Sequence, residues 1–166
     1  MLKKLMSSRS RFFSGIMLCI FLAMTLGRLE LGSKITKSSV DTWYEALNKP
    51  WFTPPNFVFN PIWAFLYFTM AVAAWLVWRH FESGLRRKAL TVFMLQLTLN
   101  LGWSVLFFGM QRIDLALAEL TILQGFVVYT WILFRTIDRR AGILFLTYTI
   151  LVGFALALNG GIFLLN

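Results

Sequence analysis

Five apolar runs of membrane length take up most of this 166-residue chain and leave it few possible folds. They cover residues 12–27, 61–78, 89–110, 115–134 and 141–166. A stretch of roughly 18 or more apolar residues reads as a membrane span, since a helix satisfies its own backbone polar groups where no water can. With 58% hydrophobic and only 14% charged residues, nothing is left over for a separate soluble domain. The expected fold class is therefore an all-α integral membrane protein: one domain, residues 1–166, forming a single bundle of five transmembrane helices. The structured segment 28–60 joins helices 1 and 2, and the other links are short enough to make successive spans antiparallel neighbours. The first run is short and follows a basic head, as in a signal peptide. No A-x-A-like site follows Ala23, so it reads as an uncleaved helix.

The net charge of +9 suggests nucleic acid as a partner, but the placement of the charges argues against it. Lys3, Lys4, Arg9 and Arg11 precede the first span, Arg79, Arg86, Arg87 and Lys88 follow the second, and Arg135, Arg139 and Arg140 follow the fourth. Arg28, Lys34, Lys37, Lys49 and Arg112 lie on the other side. This asymmetry fits the positive-inside rule with the N-terminus cytoplasmic and a lipid bilayer as the partner. The single Cys19 lies within the first span and excludes an internal disulfide.

The segment after the first span is unusual for a membrane loop. Residues 28–42 are polar, and Asp41 or Thr42 is placed to cap a short helix over 42–47. Trp43, Tyr44, Trp51, Phe52, Phe57 and Phe59 then alternate with Pro50, Pro54, Pro55 and Pro61. Prolines stiffen the free chain, and the rings need an apolar or interfacial surface to rest on. The expected result is a rigid lid over one end of the bundle, with Pro61 in the first turn of the second span.

Polar groups at membrane depth mark what lies beneath the lid. Asn100, Trp103 and Phe107 share a face of the third span, and Trp63 and Tyr67 share a face of the second. An amide, an indole N–H and a phenol in hydrocarbon each need a partner. Either they bond to neighbouring helices and hold the bundle together, or they line an aromatic-walled cavity suited to a flat apolar ligand. Glu119 is open to the same two readings, a packing or capping role and a ligand or proton role. Gln124 and Asn159 read as interhelical hydrogen-bond partners. Gly15, Cys19, Ala23 and Gly27 in the first span, and Gly153, Ala157 and Gly161 in the fifth, form small-residue stripes that serve packing within the bundle or contact with a second copy. His80 stands alone in a loop, and no Cys/His cluster, phosphate loop or nucleophile–base pair is present, so neither metal nor cofactor is expected.

Taken in order, these residues resemble the translocator protein family, also called tryptophan-rich sensory proteins or peripheral-type benzodiazepine receptors. WYEALNKPWFTPP is similar to the family's loop motif, VFNPIWAFLY to the start of its second helix and LNLGWSVLFFG to its third-helix signature. LALAEL and FALALNGGIFLLN are similar to the fourth and fifth helices. The resemblance implies a homodimeric five-helix bundle with a lidded cavity for porphyrin, haem-type or other hydrophobic ligands, and no nucleic-acid partner. It assigns ligand contact to Tyr44 and Pro54, Trp63 and Tyr67, Asn100 and Trp103, and Ala155 and Leu158. The chain departs from the family at Trp51, displaced by one place, and at Leu151 and Gly160, where tryptophans linked to porphyrin breakdown are usual. No basic residue follows Tyr148, so the family's sterol-recognition pattern is missing. The implied function is a receptor or carrier for tetrapyrrole-like ligands in a bacterial cell membrane, with roles in transport or stress signalling. The alternatives are a porphyrin-degrading enzyme, which the tryptophan-free fifth helix disfavours, and a regulatory or scaffolding protein.

Overall fold

The computed structural model describes residues 2–37, 39–80 and 83–166, with side chains from residue 12 onward. Among these residues every regular element is helical: α1 (Leu2–Lys37), α2 (Asn56–Trp78), α3 (Gly84–Ser104), α4 (Ile113–Ile137) and α5 (Arg139–Leu165). Two short π turns accompany them, Val40–Tyr44 after α1 and Val105–Gly109 continuing α3. All five helices are long and apolar enough to cross a membrane. The chain is thus an all-α, multi-pass integral membrane protein.

Side-chain caps set the starts of α3 and α5. Ser83 caps α3 by accepting from the Arg86 backbone N–H at 3.1 Å. Asp138 caps α5, accepting from Arg140 N at 2.8 Å and Ala141 N at 3.4 Å. Such caps satisfy N–H groups that the first helical turn leaves without partners. Asp138 is the only residue between α4 and α5, and the hairpin is tight: a Cβ on Gly142 would fall 2.6 Å from Arg135 Cβ.

Three boundaries differ from the sequence expectation. α1 continues through residues 28–37, which were expected in the surface loop; their polarity reflects what they face, not an absence of helix. Glu30 and Lys34 pair at 3.6 Å across one turn of this extension. α2 begins at Asn56, where the extended backbone of Pro55 (ψ 144°) leads into it, so Pro61 lies inside the helix and not in its first turn. The expected short helix over 42–47 is mainly the π turn Val40–Tyr44. Neither Asp41 nor Thr42 caps it: Ser39 stands at the cap position, and its hydroxyl donates to Phe108 O at 2.8 Å.

The helices close into a ring in the spatial order α1, α2, α5, α4, α3, with α3 returning to α1. α2 and α3 follow one another in sequence yet touch little, contrary to the expected zigzag. The link from Trp78 to Gly84 needs no hairpin geometry, since five residues reach up to about 17 Å. Ala71, Ala73 and Ala74 on α2 are fully buried and let its neighbours approach closely. Near the α2–α3 and α4–α5 turns the bundle is solid, packed with Phe93, Phe134, Phe145, Val77, Ala89 and Ala141. The opposite end, beneath the 39–55 segment, is hollow.

Candidate functional site

The hollow is a cavity of about 430 Å³ walled by α1, α2, α3, α5 and the turn after α1. Each helix contributes one face at helical spacing: Leu29, Gly32, Ser33, Thr36 and Lys37 from α1; Asn56, Asn60, Trp63 and Tyr67 from α2; Asn100, Trp103 and Phe107 from α3; Ala155, Leu158, Asn159 and Ile162 from α5. Among the described lining residues, α4 supplies none.

Aromatic packing builds the wall. Trp103 stacks on Phe107 at 5.2 Å and 22°, and Phe107 meets Phe108 edge-on at 4.9 Å. Both phenylalanines are buried. Phe107 and Phe108 both belong to the π turn Val105–Gly109, and both line the cavity. Such turns recur at functional sites. From the lid, Trp43 packs against Phe107 at 5.4 Å, and Tyr44 against Phe107 at 6.2 Å and Phe108 at 5.7 Å. Burial raises the Tyr44 phenol pKa above its ordinary value.

The lid is pinned at its far side to α5. Asn48 N–H donates to Asn166 Oδ1 at 3.0 Å, and Asn166 Nδ2 returns a bond to Asn48 O at 3.0 Å. Pro50 presses so closely on α5 that a Cβ on Gly161 would lie 2.4 Å from Pro50 Cγ. Phe52 meets Phe154 at 6.1 Å. Trp51 does not help to cover the cavity; it stands 95% exposed at the loop surface.

The two readings of the polar groups at membrane depth prove compatible. The Tyr67 hydroxyl donates to Asn100 Oδ1, Asn100 Nδ2 donates to the Tyr148 hydroxyl at 3.2 Å, and Tyr148 donates to Gln96 Oε1 at 3.0 Å. Trp103 Nε1 donates to Asn159 Oδ1 at 3.1 Å, and Asn159 Nδ2 to Ile113 O at 3.3 Å. These bonds join α2, α3, α4 and α5, while Tyr67, Asn100, Trp103 and Asn159 also face the cavity. Gln124 bridges α4 and α5 by donating to Thr149 O at 3.3 Å. Arg28, expected in the loop, lies within α1 and donates to Leu97 O at 2.9 Å, tying α1 to α3.

Seven of the eight expected ligand residues line this one cavity: Tyr44, Trp63, Tyr67, Asn100, Trp103, Ala155 and Leu158. Pro54 does not. A turn closed by Thr53 N–H donating to Pro50 O at 3.0 Å carries it past the rim, and α2, starting early, puts Asn56, Phe57 and Asn60 there instead. The α1 face was missed because it mixes polar with apolar residues, so hydrophobic periodicity is weak there. Its 29, 32, 33, 36, 37 spacing and the Glu30–Lys34 pair were the available signals. Glu119 lies outside the wall; its carboxylate sits behind α3 beside Gly102, where a Cβ would be 3.7 Å from Oε1.

Fold and cavity together define a polytopic membrane protein that encloses a ligand-sized chamber under a structured lid, within the size range of small-molecule sites. The chain belongs to the TspO/MBR family, whose family model matches residues 17–165. It is 41% identical over 136 residues to the tryptophan-rich protein TspO of Archaeoglobus fulgidus, covering 81% of this chain and 87% of that protein. It is 42% identical over 119 residues to the tryptophan-rich sensory protein of Cereibacter sphaeroides, covering 72% and 73% respectively. To the translocator protein of Homo sapiens it is 32% identical over 141 residues, covering 83% of this chain and 82% of that one.

Proposed function

We propose that this protein is a membrane receptor or carrier that binds porphyrin-like tetrapyrroles, or other flat hydrophobic ligands, in the cavity closed by its first loop. The observation that carries the reading is the chamber of about 430 Å³ in which Tyr44, Trp63, Tyr67, Trp103 and Phe107 present ring surfaces beneath a pinned lid. Aromatic walls suit flat conjugated ligands, and a few fixed polar groups set orientation. We take Tyr44, Trp63, Tyr67, Asn100, Trp103, Ala155 and Leu158 as the contact residues. We place the protein in a bacterial cell membrane as a homodimer, with the N-terminus cytoplasmic and the lid on the opposite side. The charge distribution along the sequence supports that orientation.

Titration of the purified protein with protoporphyrin IX tests the proposal. Trp63 and Trp103 lie on the wall, so binding quenches tryptophan fluorescence, and a Trp63→Ala/Trp103→Ala variant is expected to lose affinity at least tenfold, about 1.4 kcal/mol. Unchanged affinity in that variant removes the site. Conversion of protoporphyrin to a new chromophore under illumination would instead favour the porphyrin-degrading enzyme.

A further inference from the structure

The geometry points to an anion subsite at the cavity mouth: Lys37 receives an acidic substituent of the ligand, which therefore lies with its acidic edge outward and its apolar edge against Tyr67 and Asn100. This deepens the ligand-binding reading above and rests on it.

Hydrogen-bond donors are committed differently at the two ends of the cavity. Asn56 and Tyr67 mark its two ends on α2, and eleven residues of helix make it roughly 16 Å long. At the deep end the Tyr67 hydroxyl and the Trp103 indole are already engaged. The Tyr67 hydroxyl donates to Asn100, and the Trp103 indole donates to Asn159. The Asn100 and Asn159 amides each donate one bond inward as well, to Tyr148 and to Ile113 O. Arg28, the nearby cation, is turned away onto Leu97 O and does not line the cavity. A carboxylate pushed to this end would be desolvated with no cation on the cavity wall to meet it, which buried charges tolerate poorly.

The mouth is different. Lys37, in the last turn of α1, is the only cation among the described lining residues, and it is exposed to solvent. Asn56 and Asn60 stand on the same rim from α2. Asp41 lies there too, also exposed, and opposes an anion. The rim therefore carries two charges of opposite sign whose removal has opposite effects on an acidic ligand. A purely structural role for either residue does not predict that.

The test uses the full chain in a neutral detergent, with tryptophan quenching as the readout and two probes, protoporphyrin IX and its dimethyl ester. Both share the ring, but only the first carries carboxylates. The quantity read is the acid-to-ester affinity ratio, compared between variants so that partition into detergent cancels. Lys37→Gln is expected to lower this ratio about two- to fivefold, the range of a solvent-exposed ion pair, with the ester's own affinity unchanged. Asp41→Asn is expected to raise it by a similar factor, and added salt to shrink both effects. A ratio that moves in neither variant overturns the subsite while leaving ring binding intact. Equal weakening of acid and ester by Lys37→Gln overturns it too, since that marks a structural role. Failure of both probes to quench wild-type fluorescence removes the ligand reading, and the orientation with it.

Discussion

At Asn100 one amide joins three helices, accepting from Tyr67 of α2 and donating to Tyr148 of α5 from its place on α3. All three side chains are buried, so a polar group left without its partner there is costly. Asn100→Leu removes both bonds at once and strands the Tyr67 hydroxyl and one acceptor site on Tyr148. Each orphaned buried polar group costs about 1–3 kcal/mol, so a clear fall in the melting temperature in detergent is expected. Adding Tyr67→Phe to that variant removes one orphan and should restore part of the loss, whereas Tyr67→Phe alone destabilises. Strictly additive losses would mean that the chain of bonds does not act as a unit. Trp63, Tyr67, Asn100 and Trp103 were legible in the sequence because polar atoms in a membrane span need an explanation. Lys37, Asn56 and Asn60 were not, because each sits where a polar residue is ordinary.

Among the elements, helix number and type were legible and helix ends were not. Polar composition hid the last ten residues of α1, and Pro61 suggested too late a start for α2. The small-residue stripes were legible as stripes but not by partner. On α5, Gly153 lies 3.6 Å (measured from an added Cβ) from Gln124 of α4, while Gly161 receives Pro50 of the lid. On α1, Gly15 and Gly27 have nothing near them and Cys19 and Ala23 are exposed, so that stripe faces away from the bundle. The Pro50–Gly161 contact makes the lid's closure depend on one absent methyl group. Gly161→Ala places a carbon 2.4 Å from Pro50 Cγ, and either the lid or α5 must move. Overpacking of this kind costs about 1–3 kcal/mol. The expected outcome is a lower melting temperature and a faster release of bound protoporphyrin in stopped-flow quenching. Gly153→Ala, whose new carbon meets Gln124 at ordinary contact distance, serves as the control and should change neither.

The whole molecule has a hollow end and a solid end, held by different means. The hollow end is closed by the lid's contacts with α3 and α5. At the solid end a polar contact, His80 Nε2 to Asp138 Oδ2 at 2.9 Å, joins the α2–α3 and α4–α5 turns. Apolar runs in the sequence establish five spans, but not which of them are neighbours, because a five-residue link is compatible with either a hairpin or a crossing. The ring order is settled by packing instead: α2, with Ala71, Ala73 and Ala74 fully buried, lies against α1 and α5, and α3 lies against α1 and α4. Asp138 then carries two loads, capping α5 and holding His80, and both require its carboxylate. Burial alone would raise its pKa, but the hydrogen bonds from His80 and from the Arg140 and Ala141 backbone N–H groups outweigh this and hold it below the ordinary value. A carboxyl that binds its proton less tightly when folded stabilises the fold at any pH above its unfolded pKa, about 4, and loses that contribution as pH falls through the lower folded value. Asp138→Ala is therefore expected to cost about 1 kcal/mol at neutral pH, the usual worth of a helix cap. That corresponds to a melting temperature lower by on the order of 3 °C. The gap should hold from pH 7 to about 5 and narrow steadily below about pH 4. A gap that stays constant down to pH 3 would mean that the residue acts through its size, not through its charge.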